Sequence, residues 1–254
     1  MSGSNGSYWS EFLFLVIFLA IYYRFMAPTF KITDSYEKYK KNSIMKSLTM
    51  IVFIMVVEII FAFMYFASIC NNYGGGVWYI FLIWFTIFVG TKFFLISNPG
   101  CISYFSDTIG FWAISSKANK LMSEILVKPS EEGRLNKQNA TLLSEVIGQY
   151  SLMINKMVPS NFEKIWDSLN EIADPADYND ENKQKLLNLV IIKENVGEYC
   201  WLVWAGLLCI SGISVYISSY PCELTPQQVQ ENTNAYNEQT EANNNAPQES
   251  YLIY

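Results

Sequence analysis

Apolar residues along this chain gather into four blocks separated by polar stretches. The first is 12–28, interrupted by Arg24. The second, 48–70, carries one charge, Glu58, and the third, 77–97, carries one, Lys92. The fourth, 198–220, is uncharged from Tyr199 onward. Each is close to the ~20 residues an α-helix needs to cross hydrocarbon. Lipid offers no partner to free backbone groups, so such segments must be helical. Soluble helices keep a polar face, and these blocks have none. The pattern therefore predicts an all-α, multi-span membrane protein with four transmembrane helices.

Between the blocks lie an outer N-terminus (1–11), a basic loop (29–47), a tight outer turn (71–76), a helical domain (98–197) and a tail (221–254). Asn98-Pro99-Gly100 breaks the third span. Ile114, Ala118, Leu121, Met122 and Ile125 recur at helical spacing, which predicts an amphipathic helix on the domain or at the membrane surface. Lys128 to Lys137 reads as a loop and Ala140 to Met157 as a second helix. Ser160 and Glu163 have capping-box spacing and open a third helix that buries Phe162, Ile165, Trp166 and Leu169. Asp174-Pro175 ends it. A fourth helix from near Asp180 carries Leu186, Leu187, Val190 and Ile191 toward the last span. The tail is rich in Asn, Gln, Glu and Thr and is expected to lack regular structure.

Charge sets the orientation. The chain has 17 basic and 23 acidic residues, and every basic one lies in 24–46 or 92–193. Four spans put those segments on one side, cytosolic by the positive-inside bias. Both termini then face outward. Met1 to Ser10 has no Lys or Arg, so the first block reads as a span, not as a signal peptide. Trp9, Trp78, Trp201, Trp204 and Tyr220 fall near span ends, where amphipathic rings anchor.

Composition removes much chemistry. With no histidine there is no Ser-His-Asp triad, Cys-His dyad or His-ligated metal. A net charge of -6 excludes a basic nucleic-acid binder. No phosphate loop, nucleophile elbow or paired catalytic carboxylate is found, so neither an enzyme nor a cofactor is expected. Glu58 is an intramembrane acid, a functional candidate by default. Depth counting at ~1.5 Å per residue sets it level with Thr86 and Ser211. It reads either as an ion or proton site or as a carboxyl hydrogen-bonded to a hydroxyl, holding helices together. Cys70 and Cys222 share the outer face and form a disulfide if that face meets an oxidising lumen. Asn5-Gly6-Ser7 and Asn139-Ala140-Thr141 are glycosylation triplets, of which only the first faces outward.

The order of spans is that of tetraspanins, but the large loop lacks their Cys-Cys-Gly signature and sits on the basic side, which excludes them. The stretch Tyr104-Phe105-Ser106-Asp107-Thr108-Ile109-Gly110-Phe111, following a transmembrane hairpin, resembles a Pro-Phe-Ser-Asn-Thr-apolar-Gly-Tyr stretch in membrane proteins of nucleocytoplasmic large DNA viruses. It departs from that pattern at Tyr104, Asp107 and Phe111, and with the hairpin covers under a quarter of the chain. Two arginines against fifteen lysines, with 21 asparagines, fit an A+T-rich genome. The resemblance implies a structural, minor capsid-type protein in the virion's internal membrane, derived from host endoplasmic reticulum. Its helical domain would dock capsid or other virion proteins, with Phe105, Ile109, Phe111 and Trp112 as the contact or membrane-surface segment. Whether the spans assemble within one chain or between copies stays open. The alternative is a channel or transporter subunit using Glu58.

Overall fold

The structure, a computed structural model, describes residues 5–69, 76–126, 150–220 and 226–244. Among these residues the regular structure is helical, with one isolated antiparallel bridge between Leu126 and Ala173. Helix α1 (Asn5–Ile21) runs into a π-helical turn (Tyr22–Met26) and ends at Ala27. Pro28 follows, and the residue before a proline is disfavoured in helical geometry. Helix α2 spans Tyr36–Ile69. Helices α3 (Gly76–Trp84) and α4 (Gly90–Ser97) form one rod through a π-helical turn (Phe85–Val89). Asn98 and Pro99 break that rod into a 3₁₀ turn (Pro99–Ile102). A short α5 (Ser103–Phe105), a π-helical turn (Ser106–Gly110) and α6 (Phe111–Ile125) follow. Then come α7 (Tyr150–Lys156), α8 (Phe162–Leu169), α9 (Asp180–Ser219) and α10 (Pro226–Asn244).

Four stretches are long and apolar enough to cross a membrane: Trp9–Met26, Tyr36–Met64, Gly76–Ser97 and Asp180–Ser219. Only 22% to 39% of their most apolar windows is buried inside the fold. The outward remainder is apolar, with Val52, Val56, Ile60, Leu82, Phe85 and Val215 among the exposed side chains. Water would be an unfavourable neighbour for that surface and hydrocarbon a neutral one. This is the surface of a membrane-embedded protein.

Two apolar cores share one helix. The first joins Leu15, Leu19, Ile51, Ile54, Ile80, Trp84 and Phe88 to Leu202, Cys209 and Ile213 of α9. The second joins α6, α7 and α8 to Leu186, Leu187, Val190 and Ile191 at the other end of α9. Helix α9 has 40 residues, so it is ~60 Å long and passes through both. The fourth domain helix and the last span are therefore one continuous rod. Asn179 caps its start, its side chain accepting from the Asn182 N–H at 3.0 Å. Asp180 and Glu181 occupy the first turn, where acids favour the helix dipole.

All five apolar positions expected of the amphipathic helix are buried, so α6 packs on the domain. The third helix starts at Phe162, one residue later than the Ser160–Glu163 capping box predicts. Asn161 precedes it and accepts from Val158 N–H while donating to the Lys156 carbonyl, so the turn is tied backward and the capping box does not form. The basic loop is also shorter than expected, because α2 is helical from Tyr36. An Asp34–Lys38 pair and a lysine-rich turn without Gly or Pro support that early start. Pro226–Asn244 is helical where the sequence suggested a tail without regular structure. It has no interior Gly or Pro, and Pro226 has the fixed φ suited to a first helical turn. The side chains described for it are exposed. Of the expected turn 71–76, Gly76 opens α3 instead, and 71–75 lie outside the described residues, as do loop 128–137, both cysteines of the Cys70–Cys222 pair and Asn139.

Candidate functional site

The two cores are separated by a layer of buried charge. Lys193 is fully buried between the last apolar residue of the domain face and the first of the span. Its ammonium donates to Asp107 Oδ1 at 2.8 Å and to the Asn155 carbonyl at 2.9 Å, with Glu194 Oε1 at 3.8 Å. Ser106 Oγ donates to Glu194 at 3.1 Å. One turn further along α9, Glu198 accepts from Lys92 of α4 and, at 3.5 Å, from Ser47 Oγ of α2. Lys92 and Ser47 are both buried. Buried charges persist only when paired and hydrogen-bonded, and this belt meets that condition.

Glycine lets the belt close. A Cβ on Gly110 would lie 2.5 Å from the Lys193 carbonyl oxygen, and one on Gly197 would lie 2.8 Å from Ser106 Cβ. The π-helical turn Ser106–Gly110 thus rides directly on the α9 backbone. Trp201 fastens the same seam, donating from Nε1 to the Cys101 carbonyl at 2.9 Å and meeting the Phe105 ring edge-on at 5.4 Å.

A cleft of about 340 Å³ opens beside the belt. It is lined by Glu194, Asn195 and Glu198 of α9, by Tyr36, Tyr39 and Lys40 of α2, and by Lys92, Leu95 and Ile96 of α4. Tyr39 is held by stacking on Phe30 at 4.7 Å. Gln184 of α9 fixes that segment further, accepting from Ile32 N–H and donating to the Phe30 carbonyl.

Sequence-derived sites fare unevenly. Of the proposed contact segment, Trp112 is 79% and Ile109 45% exposed, and Tyr104 beside them is 70% exposed. Phe105 is engaged with Trp201, and Phe111 packs against the domain core. Glu58 is buried, and among the described residues its Oε1 has no hydrogen-bond partner. Thr86 and Ser211 are exposed, and Thr86 donates back to the Leu82 carbonyl at 2.6 Å, so neither hydroxyl serves Glu58. Its electrostatic neighbours are Glu11 and Cys209 instead. Glu11, itself buried, was missed because it precedes the apolar block. Lys92, the one charge of the third span, is buried on Glu198. The readable signal was opposite charge at the same ends of two spans, Lys92 on the third and Glu198 on the fourth. Trp201, expected at the membrane surface, is committed to the seam.

No protein-family model, curated protein or solved structure matches this chain.

Proposed function

We propose that this chain is a structural membrane protein: a four-helix anchor that holds a helical domain rigidly and presents it for docking to other proteins. The observation that carries the reading is the uninterrupted helix α9, shared by both cores and locked by buried charge between them. A hinged domain suits catalysis or gating, whereas a rod fixed at both levels transmits position. The exposed Tyr104, Ile109 and Trp112 lie opposite Ser106, Gly110 and Ile114, the row that is buried. They supply an apolar docking face away from the seam.

The resemblance to membrane proteins of nucleocytoplasmic large DNA viruses supports an internal virion membrane as the setting. In that reading the lysine-bearing side is cytosolic during assembly and the domain faces the capsid shell. Ser106, Asp107 and Gly110, three positions of the resembling stretch, seat it on α9. Particle proteomics combined with protease protection of sealed vesicles tests both parts. The expected result is the chain in purified particles, with 98–197 cleaved from the cytosolic side and 221–254 protected. Absence from particles sinks the viral setting, and joint exposure of domain and tail sinks the topology.

A channel or transporter role is the second reading, favoured by Glu11 lying within electrostatic reach of Glu58. Ion flux in liposomes that disappears on Glu58→Gln would promote it above the structural reading.

A further inference from the structure

We infer that the cleft beside the charge belt is a site for a phospholipid headgroup bearing a primary ammonium and a phosphate, the ethanolamine type. The inference rests on the membrane-embedded reading but not on the viral one.

Position comes first. The cleft lies where α4 ends and Pro99–Gly100 turns the chain away, at the lysine-bearing ends of the spans. Of its lining residues, Leu95 and Ile96 belong to the third span, whereas Glu194 and Asn195 belong to the domain. A ligand there straddles apolar and polar surroundings, as a headgroup with attached chains does. The volume falls in the range of small-molecule sites.

Charge then selects the ligand. The belt holds three carboxylates, Asp107, Glu194 and Glu198, against two ammonium groups, Lys92 and Lys193, an excess of one negative charge. Glu194, Glu198 and Lys92 line the cleft and the Asp107–Lys193 pair does not, so the excess negative charge lies on the cleft side of the belt. Each ionised carboxylate has about four acceptor sites. Glu198 uses its share on Lys92 and Ser47, and Glu194 on Ser106, so acceptor capacity remains. The other groups facing Glu198 are the phenols of Tyr22, Tyr23 and Tyr39, which bring no positive charge at neutral pH. An added ammonium completes the balance. It also meets the rings of Tyr36 and Tyr39, whose faces attract cations.

Lys40 supplies the opposite pole. It is exposed, lines the cleft and makes no ion pair among the described residues. It is placed to meet a phosphate while the ammonium lies on the glutamates. Two carboxylates with Asn195 favour a hydrogen-bonding primary ammonium over a quaternary one, which needs a closed aromatic cage. Ile44, Leu95 and Ile96 provide the apolar border along which acyl chains leave. A soluble phosphoethanolamine offers the same polar chemistry without those chains.

The test uses the full chain in nanodiscs of phosphatidylcholine seeded with equal small fractions of phosphatidylethanolamine and phosphatidylglycerol. Lipids retained through extraction are counted by native mass spectrometry. Ethanolamine lipid should be enriched over both others. Lys40→Ala, which removes a charged contact, and Ser43→Phe, which fills the cleft, should each reduce that enrichment about tenfold. Added phosphoethanolamine should not displace the lipid. Headgroup-blind retention overturns the inference, as does displacement by phosphoethanolamine at equal concentration, which would assign the cleft to a soluble ligand. If Ser43→Phe fails to fold, the exposed Lys40→Ala decides: unchanged retention with unchanged unfolding overturns the inference. None of these outcomes depends on where the protein resides, so the docking role is tested separately.

Discussion

Replacing Lys193 by methionine isolates the charge that joins the two cores. Methionine keeps most of the length and apolar body of the lysine stem, so packing around the buried side chain is retained while the ammonium is lost. That ammonium makes hydrogen bonds of 2.8 Å to Asp107 and 2.9 Å to the Asn155 carbonyl. Bonds to charged groups contribute about 1.5–3 kcal/mol each. Breaking one partner of a buried pair costs about 3–5 kcal/mol. Asp107 retains 36% of its side-chain exposure and rehydrates, and Glu194 keeps Ser106, so the lower part of the range applies. The expected loss is about 3 kcal/mol. Lys38→Met is the control. It breaks an ion pair whose lysine is 74% exposed, and should cost no more than about 0.5 kcal/mol. Unfolding of the full chain by sodium dodecyl sulfate in mixed micelles, followed by circular dichroism and by proteolysis of the domain, measures both. Wild type should lose domain and bundle in one transition, and Lys193→Met should separate them. If Lys193→Met matches wild type, or if wild type already unfolds in two steps, the belt does not couple the cores.

Three further outcomes are expected. Gly110→Ala forces a methyl against the Lys193 backbone carbonyl and should cost about 1–3 kcal/mol, whereas Gly100→Ala, which meets nothing within 4 Å, should be near neutral in the same titration. Glu58→Leu removes a buried carboxyl oxygen that has no partner among the described residues, so thermal unfolding in detergent should be unchanged or raised. A clear drop would restore Glu58 as the group that holds the spans together. Trp112→Asp and Ile109→Asp change exposed side chains and should leave unfolding within about 0.5 kcal/mol of wild type while abolishing cross-linking to partner proteins. Intact cross-linking would move the docking face elsewhere.

The spans were legible because their signal is local and additive: about twenty apolar residues in a row specify a membrane helix whatever surrounds them. Ile114, Ala118, Leu121, Met122 and Ile125 were legible for a similar reason, since helical periodicity fixes a face before any partner is known. The continuous α9 was half legible. No proline and only one glycine, Gly197, lie between Asp180 and Tyr199, but nothing local shows that both ends are buried in separate cores.

The charge belt was illegible because it is a property of register between distant segments. Lys92 meets Glu198 across 106 positions and Lys193 meets Asp107 across 86. Taken singly, each residue resembles an ordinary flanking charge at a span end. The same lack of register misplaced Glu58: equal depth set it beside Thr86 and Ser211, but depth does not fix rotation about a helix axis, and both hydroxyls face outward. Depth and rotation together decide whether a polar group inside a bundle is glue, site or burden. The resembling stretch 104–111 illustrates the converse. Its small and polar members, Ser106, Asp107 and Gly110, face α9, and its apolar Ile109 faces out. Substitution there is therefore constrained by two demands at once: a polar, glycine-containing inner row that fits the seam and an apolar outer row that the fold itself does not need. Among the described residues the second demand has no structural cause, and that is the physical ground on which we propose a partner for that row.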